Sequence, residues 1–393
     1  LTILASGLNP STIAGGTTPT YSYSVTVSDT ALPTTRTAAF ALTASDANTT
    51  LDCSPGSIDP PGTVSILKHA APTLVITFEQ PAAVTLGQTF QVTATIRNTG
   101  EVTANIIDVA LSYDNGNAGL SISDNGVHPA TLAGGSTGTF GFWVTAAGAP
   151  AVGNRVASLV VSATDSLSDK SVGATLGNLG TVAVQSAGTL SFSAFSATSP
   201  VSVGQSFQAQ YRISNSGQAA INVNSVTLAL TGSGATATPR TASNPTVVPG
   251  LGNATFTFDV ATPSALTGTW SATASAVATD ANSGASRNAG PTAVGSVLIQ
   301  SPALLALSTV TSESPVSQGQ TFTISVQVDN EGQSAANVSA AALSYSGLQD
   351  LSVVNNTSFP VSIAAGGTRT FTYSVTAGGS AAAGTRTFDL AVT

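Results

Sequence analysis

The stretch Gly87-Gln88-Thr89-Phe90-Gln91-Val92-Thr93-Ala94-Thr95-Ile96-Arg97-Asn98-Thr99-Gly100 decides the fold. Apolar residues take every second place from Phe90 to Ile96, the period of a strand with one buried face. Glycine opens the run and Asn-x-Gly closes it, and both signal a turn because Asn and Gly tolerate positive φ. The frame returns as Gly204-Gln205-Ser206-Phe207 ending in Asn215-Ser216-Gly217, and as Gly319-Gln320-Thr321-Phe322 ending in Asn330-Glu331-Gly332. The steps between the glycines are 117 and 115 residues.

Three further markers keep that spacing. Aromatic pairs stand at Tyr21/Tyr23, Phe140/Phe142, Phe256/Phe258 and Phe371/Tyr373. A glycine turn precedes each pair, at Gly15-Gly16, Gly134-Gly135, Gly250 with Gly252, and Gly366-Gly367. A Ser/Thr-Asp turn recurs at Asp46, Asp165 and Asp280. A period of about 116 residues is that of a whole domain, because solenoid repeats run about 20–45. Each copy must therefore close its own core, and a unit of this size buries roughly two thirds of its unfolded surface.

Composition narrows the class of protein. Of 393 residues only 7% are charged, against about 25% in ordinary globular domains. Ten Lys+Arg and a net charge of −8 leave no basic surface for phosphates, which argues against nucleic acid. No run of 18 apolar residues occurs, so no membrane span is expected. At 42% hydrophobic the chain is also unlike a charged, disordered one. It contains no Met and lacks the charged and apolar regions of a signal peptide, which suggests a processed product or a window of something longer.

The markers set the domain organisation. At an offset of 350, Leu1 aligns with Leu351, Pro10 with Pro360, Arg36 with Arg386 and Thr43 with Thr393. The expected domains are a partial repeat at 1–71 holding only C-terminal strands, whole repeats at 72–187 and 188–301, and a repeat at 302–393 lacking its last strands. The copies are expected as beads on a string. Because 1–43 and 351–393 cover the same part, a longer array is favoured over a subunit built to swap halves. Donor-strand exchange is the alternative, since both ends leave edges unpaired.

Within the second repeat, strands are expected at 73–78, 89–97, 105–112, 139–145, 155–164 and 181–185, with a turn at Asp114-Asn115-Gly116. No window sustains a 3.6 period, and the Ser/Thr/Val/Gly content disfavours helix. Turn signals every 8–12 residues predict an all-β chain of tandem immunoglobulin-like antiparallel β-sandwiches. No repeat carries the Cys…Trp…Cys pattern of antibody domains, so the cores are expected to hold without a disulfide.

The stretches GQTFQVTATIRNTG (87–100), ANIIDVALS (104–112) and LAGGSTGTFGFWVT (132–145), with GQSFQAQYRISNSG (204–217) and GQTFTISVQVDNEG (319–332), resemble the bacterial and archaeal cell-adhesion-related (CARDB-type) immunoglobulin-like repeats of surface proteins. The resemblance covers every repeat. It implies the sandwich fold and a spacer, adhesin, wall or filament role, and it supplies no catalytic residues.

Motifs for chemistry are sparse. Gly134-Gly135-Ser136-Thr137-Gly138 fits G-x-S-x-G, but that elbow needs a strand-to-helix turn and this one leads into a strand. His69 and His128 lie in different repeats with no acid or cysteine spaced for a triad or metal site. No catalytic residue, cofactor or enzyme activity is expected. Asp114/Asn117, Asp165/Asp169 and Asp280/Asn282 lie in Gly/Ser-rich loops that read as Asx-turns, with a weak calcium alternative because calcium wants six to eight oxygens. Cys53 is the only cysteine, and is either a free or buried thiol or one that pairs with another chain. Trp143 follows Phe142 and so faces away from the core, where its counterparts Ser24, Asp259 and Ser374 are polar. It is a candidate partner contact unless it rests on a loop of its own repeat. Trp270 replaces Arg36, Arg155 and Arg386 and is expected to cap a core. Asn48, Asn253, Asn337, Asn355 and Asn356 match the N-glycosylation acceptor pattern.

Three functions follow as expectations. The first is a structural component of an extracellular filament or cell-surface layer that self-associates through its repeats. The second is an adhesin or carbohydrate-binding stalk. The third is an accessory region of a large secreted enzyme.

Overall fold

The computed structural model describes residues 1–58, 62–148 and 152–393. Apart from a four-residue turn at Asp114–Asn117, the regular elements among the described residues are all strands. In that turn Asn115, Gly116 and Asn117 take φ of 56°, 64° and 58°, the left-handed region that short amides and glycine tolerate. The chain divides into two compact units, Leu1–Ser186 and Ala187–Thr393.

The first unit contains a complete sandwich. One sheet orders Leu120–Asp124, Thr137–Ala146, Thr89–Asn98 and Pro72–Glu79. The other orders Thr131–Leu132, Ala104–Tyr113, Gly153–Asp165, Ser171–Gln185 and Ala83–Thr85. Setting aside the short pieces, the first, second, fourth and fifth strands share one sheet and the third, sixth and seventh the other. That is the strand division of the immunoglobulin sandwich. Pairing is antiparallel except that Ala83–Thr85 runs parallel to the end of the last strand, with Val84 opposite Val184.

The core follows the alternation. Phe90, Val92, Ala94 and Ile96 are buried from one strand, and Phe140, Phe142 and Val144 from its neighbour. They meet Val109, Leu111, Leu159, Val161, Val182 and Val184 from the facing sheet. Each fully buried Val, Leu or Phe contributes about 1.5–3 kcal/mol through apolar area removed from water. No disulfide is present, and Cys53 is free.

The second unit repeats the plan. Its 190–300 sandwich has the sheets Leu190–Ala197, Ser206–Asn215, Asn253–Ala261, Thr236–Pro239 and Val201–Ser202, Ala289–Gln300, Gly268–Asp280, Ile221–Leu230, Val247–Val248. The 305–392 sandwich has a four-stranded sheet, with the facing layer formed by the pairs Ala336–Val338 with Val361–Ile363 and Ala341–Tyr345 with Phe388–Val392.

The outer faces are joined by hydroxyls. Thr89 meets Thr145 at 2.8 Å, Thr95 meets Thr139 at 3.2 Å, Thr227 meets Ser275 at 2.6 Å and Thr321 meets Thr376 at 2.8 Å across neighbouring strands.

Three local readings need correction. The last strand of the first sandwich begins at Ser171 rather than Thr181, and Leu120–Asp124 is an additional strand. Asn98, Asn215 and Asn330 do not close their strands through positive φ. They are buried, and their side chains do the closing. Asn98 Oδ1 accepts the N–H groups of Ala71 and Gly100, while Nδ2 donates to the carbonyls of Val102 and Leu132. Asn215 links Thr189, Gly217, Ala219 and Pro249 in the same way. Asn330 links Leu304, Gly332, Ser334 and Ile363. The glycine two residues on is required by close approach. A Cβ at Gly100, Gly217 or Gly332 would overlap the carbonyl oxygen of His69, Ala187 or Pro302.

Candidate functional site

The opening glycines do adopt positive φ, at 91° for Gly87, 88° for Gly204 and 76° for Gly319. The glutamine after each holds the turn by accepting the backbone N–H of Thr85, Ser202 or Ser317 at 2.9–3.0 Å. These recurring markers are therefore scaffold, and functional surface must be sought where the copies differ.

They differ most at two places. In segment 1–71 the strands Thr2–Ala5 and Tyr23–Thr26 pair with each other, as do Thr34–Thr37 with Thr63–Ile66 and Phe40–Leu42 with Gly56–Ile58. No strand among its described residues takes the place that Thr89–Asn98 holds in the complete sandwich. Positions that are core elsewhere are consequently open. Tyr23 and Val25 are 46% and 51% exposed, whereas the equivalent Phe142 and Val144 are 3% and 0% exposed. Val64 is 48% exposed and its equivalent Val182 is fully buried.

The second place is the 305–392 sandwich. Phe388–Val392 pairs with Ala341–Tyr345 on one side and, among the described residues, with no strand on the other. Alongside it lies a groove of about 510 Å³, lined by Pro315, Val316, Leu351, Ala381, Arg386 and Phe388 among others. In the complete sandwiches this is the place of the last strand. Val182 and Val184 of Ser171–Gln185, and Val297 and Ile299 of Ala289–Gln300, fill it and are buried.

The position flanking that strand is occupied differently in each sandwich. Arg155 is buried opposite Val182. Trp270, opposite Val297, packs against the core and donates Nε1–H to the Leu266 carbonyl at 2.9 Å, as expected of a cap. Arg386 reaches both oxygens of Asp350, at 3.3 and 2.8 Å, and holds that carboxyl below its ordinary value.

The aspartate loops turn inward. Asp165 Oδ1 accepts the N–H groups of Leu167 and Ser168 and the Ser168 hydroxyl, each at 3.0 Å. Its Oδ2 accepts Ala70 N–H at 2.9 Å. Burial raises this carboxyl, but those four donors outweigh it and bring the pKa down to about 2. Asp280 accepts Asn282 N–H, Ser283 N–H and the Ser283 hydroxyl, and Asp46 accepts from Asn48 and Thr49. The loops at Asp165/Asp169 and Asp280/Asn282 thus use these carboxylate lone pairs for Asx-turn hydrogen bonds. At Asp114/Asn117 the side-chain oxygens accept Val156 and Tyr113 N–H. No group of three His, Cys, Asp or Glu among the described residues is placed to hold a metal.

The histidines do have acidic neighbours. His69 lies 3.3 Å from Asp165 and 3.4 Å from Asp29, which also pairs with Lys170 at 2.8 Å. These contacts bind segment 1–71 to the sandwich after it, and the sequence separations hide them. His128 meets Asp124 at 2.7 Å, four residues before it, and stands edge-on to Phe140 and Phe142. The Ser136 hydroxyl donates to the Ala133 carbonyl at 2.8 Å within its turn, which leads into Thr137–Ala146.

Trp143 lies on the outer face of its sheet between Gln91 and Ser123 and is 45% exposed. Cys53 is exposed. Asn48, Asn253, Asn337, Asn355 and Asn356 are all exposed, and the side chains of Asn355 and Asn356 donate to the Ala341 carbonyl at 2.6 Å and to Ser374 Oγ at 2.9 Å. No helix among the described residues is long and apolar enough to cross a membrane.

No protein-family model and no curated protein sequence matches the chain. Solved structures that overlay on it include a protein of unknown function from Porphyromonas gingivalis W83, at 14% identity over 58% of this chain and 98% of that one, with a TM-score of 0.21. A putative membrane anchored protein from Corynebacterium diphtheriae overlays at 13% identity over 91% and 92%, with a TM-score of 0.18. Dpr2 Ig1–Ig2 in complex with DIP-Theta Ig1–Ig3 does so at 8% identity over 77% and 88%, with a TM-score of 0.25. Overlays this distant carry no argument, and the fold rests on the strand pairing above.

Proposed function

We propose that the chain is a non-enzymatic structural component of an extracellular filament or cell-surface layer, assembled by packing of its immunoglobulin-like repeats. The observation that carries this reading is the repetition of like sandwiches whose strands leave Ile107, Val160, Val277 and Val310 exposed. Exposed strand edges with apolar faces are templates for pairing with another chain. A surface with so few charges adds little repulsion to that pairing. The resemblance to cell-adhesion-related repeats supports a surface location, where the exposed Asn48, Asn253 and Asn337 are the acceptors best placed for glycan. Electron microscopy of the purified chain and of native material tests the reading. Expected are fibres or sheets in which one contact of about 1,000 Å² or more recurs under one symmetry operator. Dispersed monomers at all concentrations would overturn it.

The exposed Trp143 favours a second reading, an adhesin or carbohydrate-binding stalk. Here the chain stays monomeric and binds a glycan array, and Trp143→Ala abolishes that binding.

A further inference from the structure

We infer that Trp143 and the neutral side chains around it form a platform for an uncharged pyranose glycan. The indole stacks on the C–H face of a sugar ring, and Gln91, Ser123 and Asn125 hydrogen-bond its hydroxyls. This rests on the second reading above and adds the class of glycan and the residues that select it.

Strand register sets Trp143 at the centre of a grid on the outer face of its sheet. On one side Ser123 stands opposite Trp143 and Ser121 opposite Thr145. The same side continues to Asn125, whose N–H donates to the Gly141 carbonyl at 3.3 Å. On the other side Gln91 stands opposite Trp143, flanked by Thr89 and Thr93. None of these neighbours is charged. Glu79 lies two strands from Trp143, opposite Thr93, and Asp124 turns to the other face, where it meets His128. Strands about 4.8 Å apart, with outward residues about 6.8 Å apart along each, give the grid a span of roughly 10 by 13 Å, the footprint of a disaccharide.

Two departures from the repeat pattern coincide here. Where the other copies carry Ser24, Asp259 and Ser374, this one carries Trp143. Where they carry Ser22, Thr257 and Thr372, it carries Gly141, the next outward position of the same strand. A Cβ at Gly141 would overlap the Asn125 amide, so the glycine is what lets that amide lie against the sheet beside the indole. Asn125 Oδ1 accepts Val127 N–H at 2.9 Å, which fixes the amide and leaves Nδ2 to donate outward. Gln91 and Ser123 are exposed, and their side chains have no hydrogen-bond partner among the described residues. An aromatic face bounded by unused amides and a hydroxyl matches a pyranose, which pairs a flat C–H face with a rim of hydroxyls. No Lys or Arg belongs to the grid and the chain carries a net charge of −8, so an acidic glycan finds no counter-charge there. In the second sandwich the equivalent position is charged, with Asp259 held by Arg240 at 3.3 Å.

The test measures retardation of the full-length chain in native gels containing a neutral β-glucan, a neutral mannan or acidic polygalacturonate. At least one neutral polymer should bind about tenfold or more tighter than polygalacturonate. Trp143→Ala should weaken that binding by about tenfold or more, and Trp143→Tyr, which keeps an aromatic face, by about threefold or less. Gln91→Ala and Asn125→Asp should each weaken it by about threefold or more, with the thermal unfolding of Gln91→Ala unchanged. Equal or tighter binding of polygalacturonate overturns the inference and leaves the stalk reading standing. So does neutral-glycan binding that Trp143→Ala removes but that neither Gln91→Ala nor Asn125→Asp weakens. A chain retarded by none of the three polymers overturns the inference and the stalk reading together.

Discussion

Asp165, the last residue of the strand Gly153–Asp165, accepts the backbone N–H of Ala70 at 2.9 Å across 95 residues of sequence. One buried carboxylate thus ties the entry of the first sandwich to its sixth strand and organises its own turn through three more donors.

The titration of Asp165 makes stability depend on pH in a defined direction. Its folded pKa of about 2 lies below the ordinary 3.8, so the charged form favours the folded state. The contribution is complete above about pH 4 and is lost as pH falls towards 2, amounting to roughly 2 kcal/mol. Asp165→Asn should remove that acid-sensitive portion, measured as a flatter stability profile between pH 4 and 2 by denaturant unfolding. An unchanged profile would refute the assignment.

The buried asparagines should be indispensable. Asn98→Ala leaves the Val102 and Leu132 carbonyls without their donor and should cost about 3 kcal/mol in the first sandwich. Asn98→Asp should be worse at neutral pH, because a carboxylate would then face those two carbonyl oxygens. Asn215→Ala and Asn330→Ala should each lower only their own sandwich's unfolding transition, read by calorimetry.

Two glycines should respond differently to alanine. Gly217→Ala drives a Cβ into the Ala187 carbonyl and should cost about 3 kcal/mol. Gly126, with φ of 84° and open space around it, bears only backbone strain, about 1–2 kcal/mol. Chemical denaturation of the two variants gives the order, and a larger loss for Gly126→Ala would contradict the close-approach account.

Trp143→Ser should leave stability within about 0.5 kcal/mol, since the ring is outside the core. Its effect on glycan binding or on fibre formation therefore reports partner contact alone.

Much of this architecture is legible in the residues. Period-two alternation located Thr89–Asn98 and its copies, because a half-buried strand imposes that pattern on its side chains. Parity placed Trp143 outside and Trp270 at the edge of a core. The first half of Ser171–Gln185 escaped notice because Gly173, Gly177 and Gly180 break its pattern. The role of Asn98 was hidden because a turn residue and a buried hydrogen-bonding plug use the same amino acid. The grouping of His69 with Asp29 and Asp165 joins residues that only tertiary folding brings together.

The hydroxyl pairs that bridge neighbouring strands have a consequence for how the fold responds to salt. A Thr–Thr contact such as Thr89 with Thr145 carries no net charge, so dissolved ions do not screen it. Strands bridged in this way should hold together from fresh water to brine, a range over which exposed ion pairs weaken.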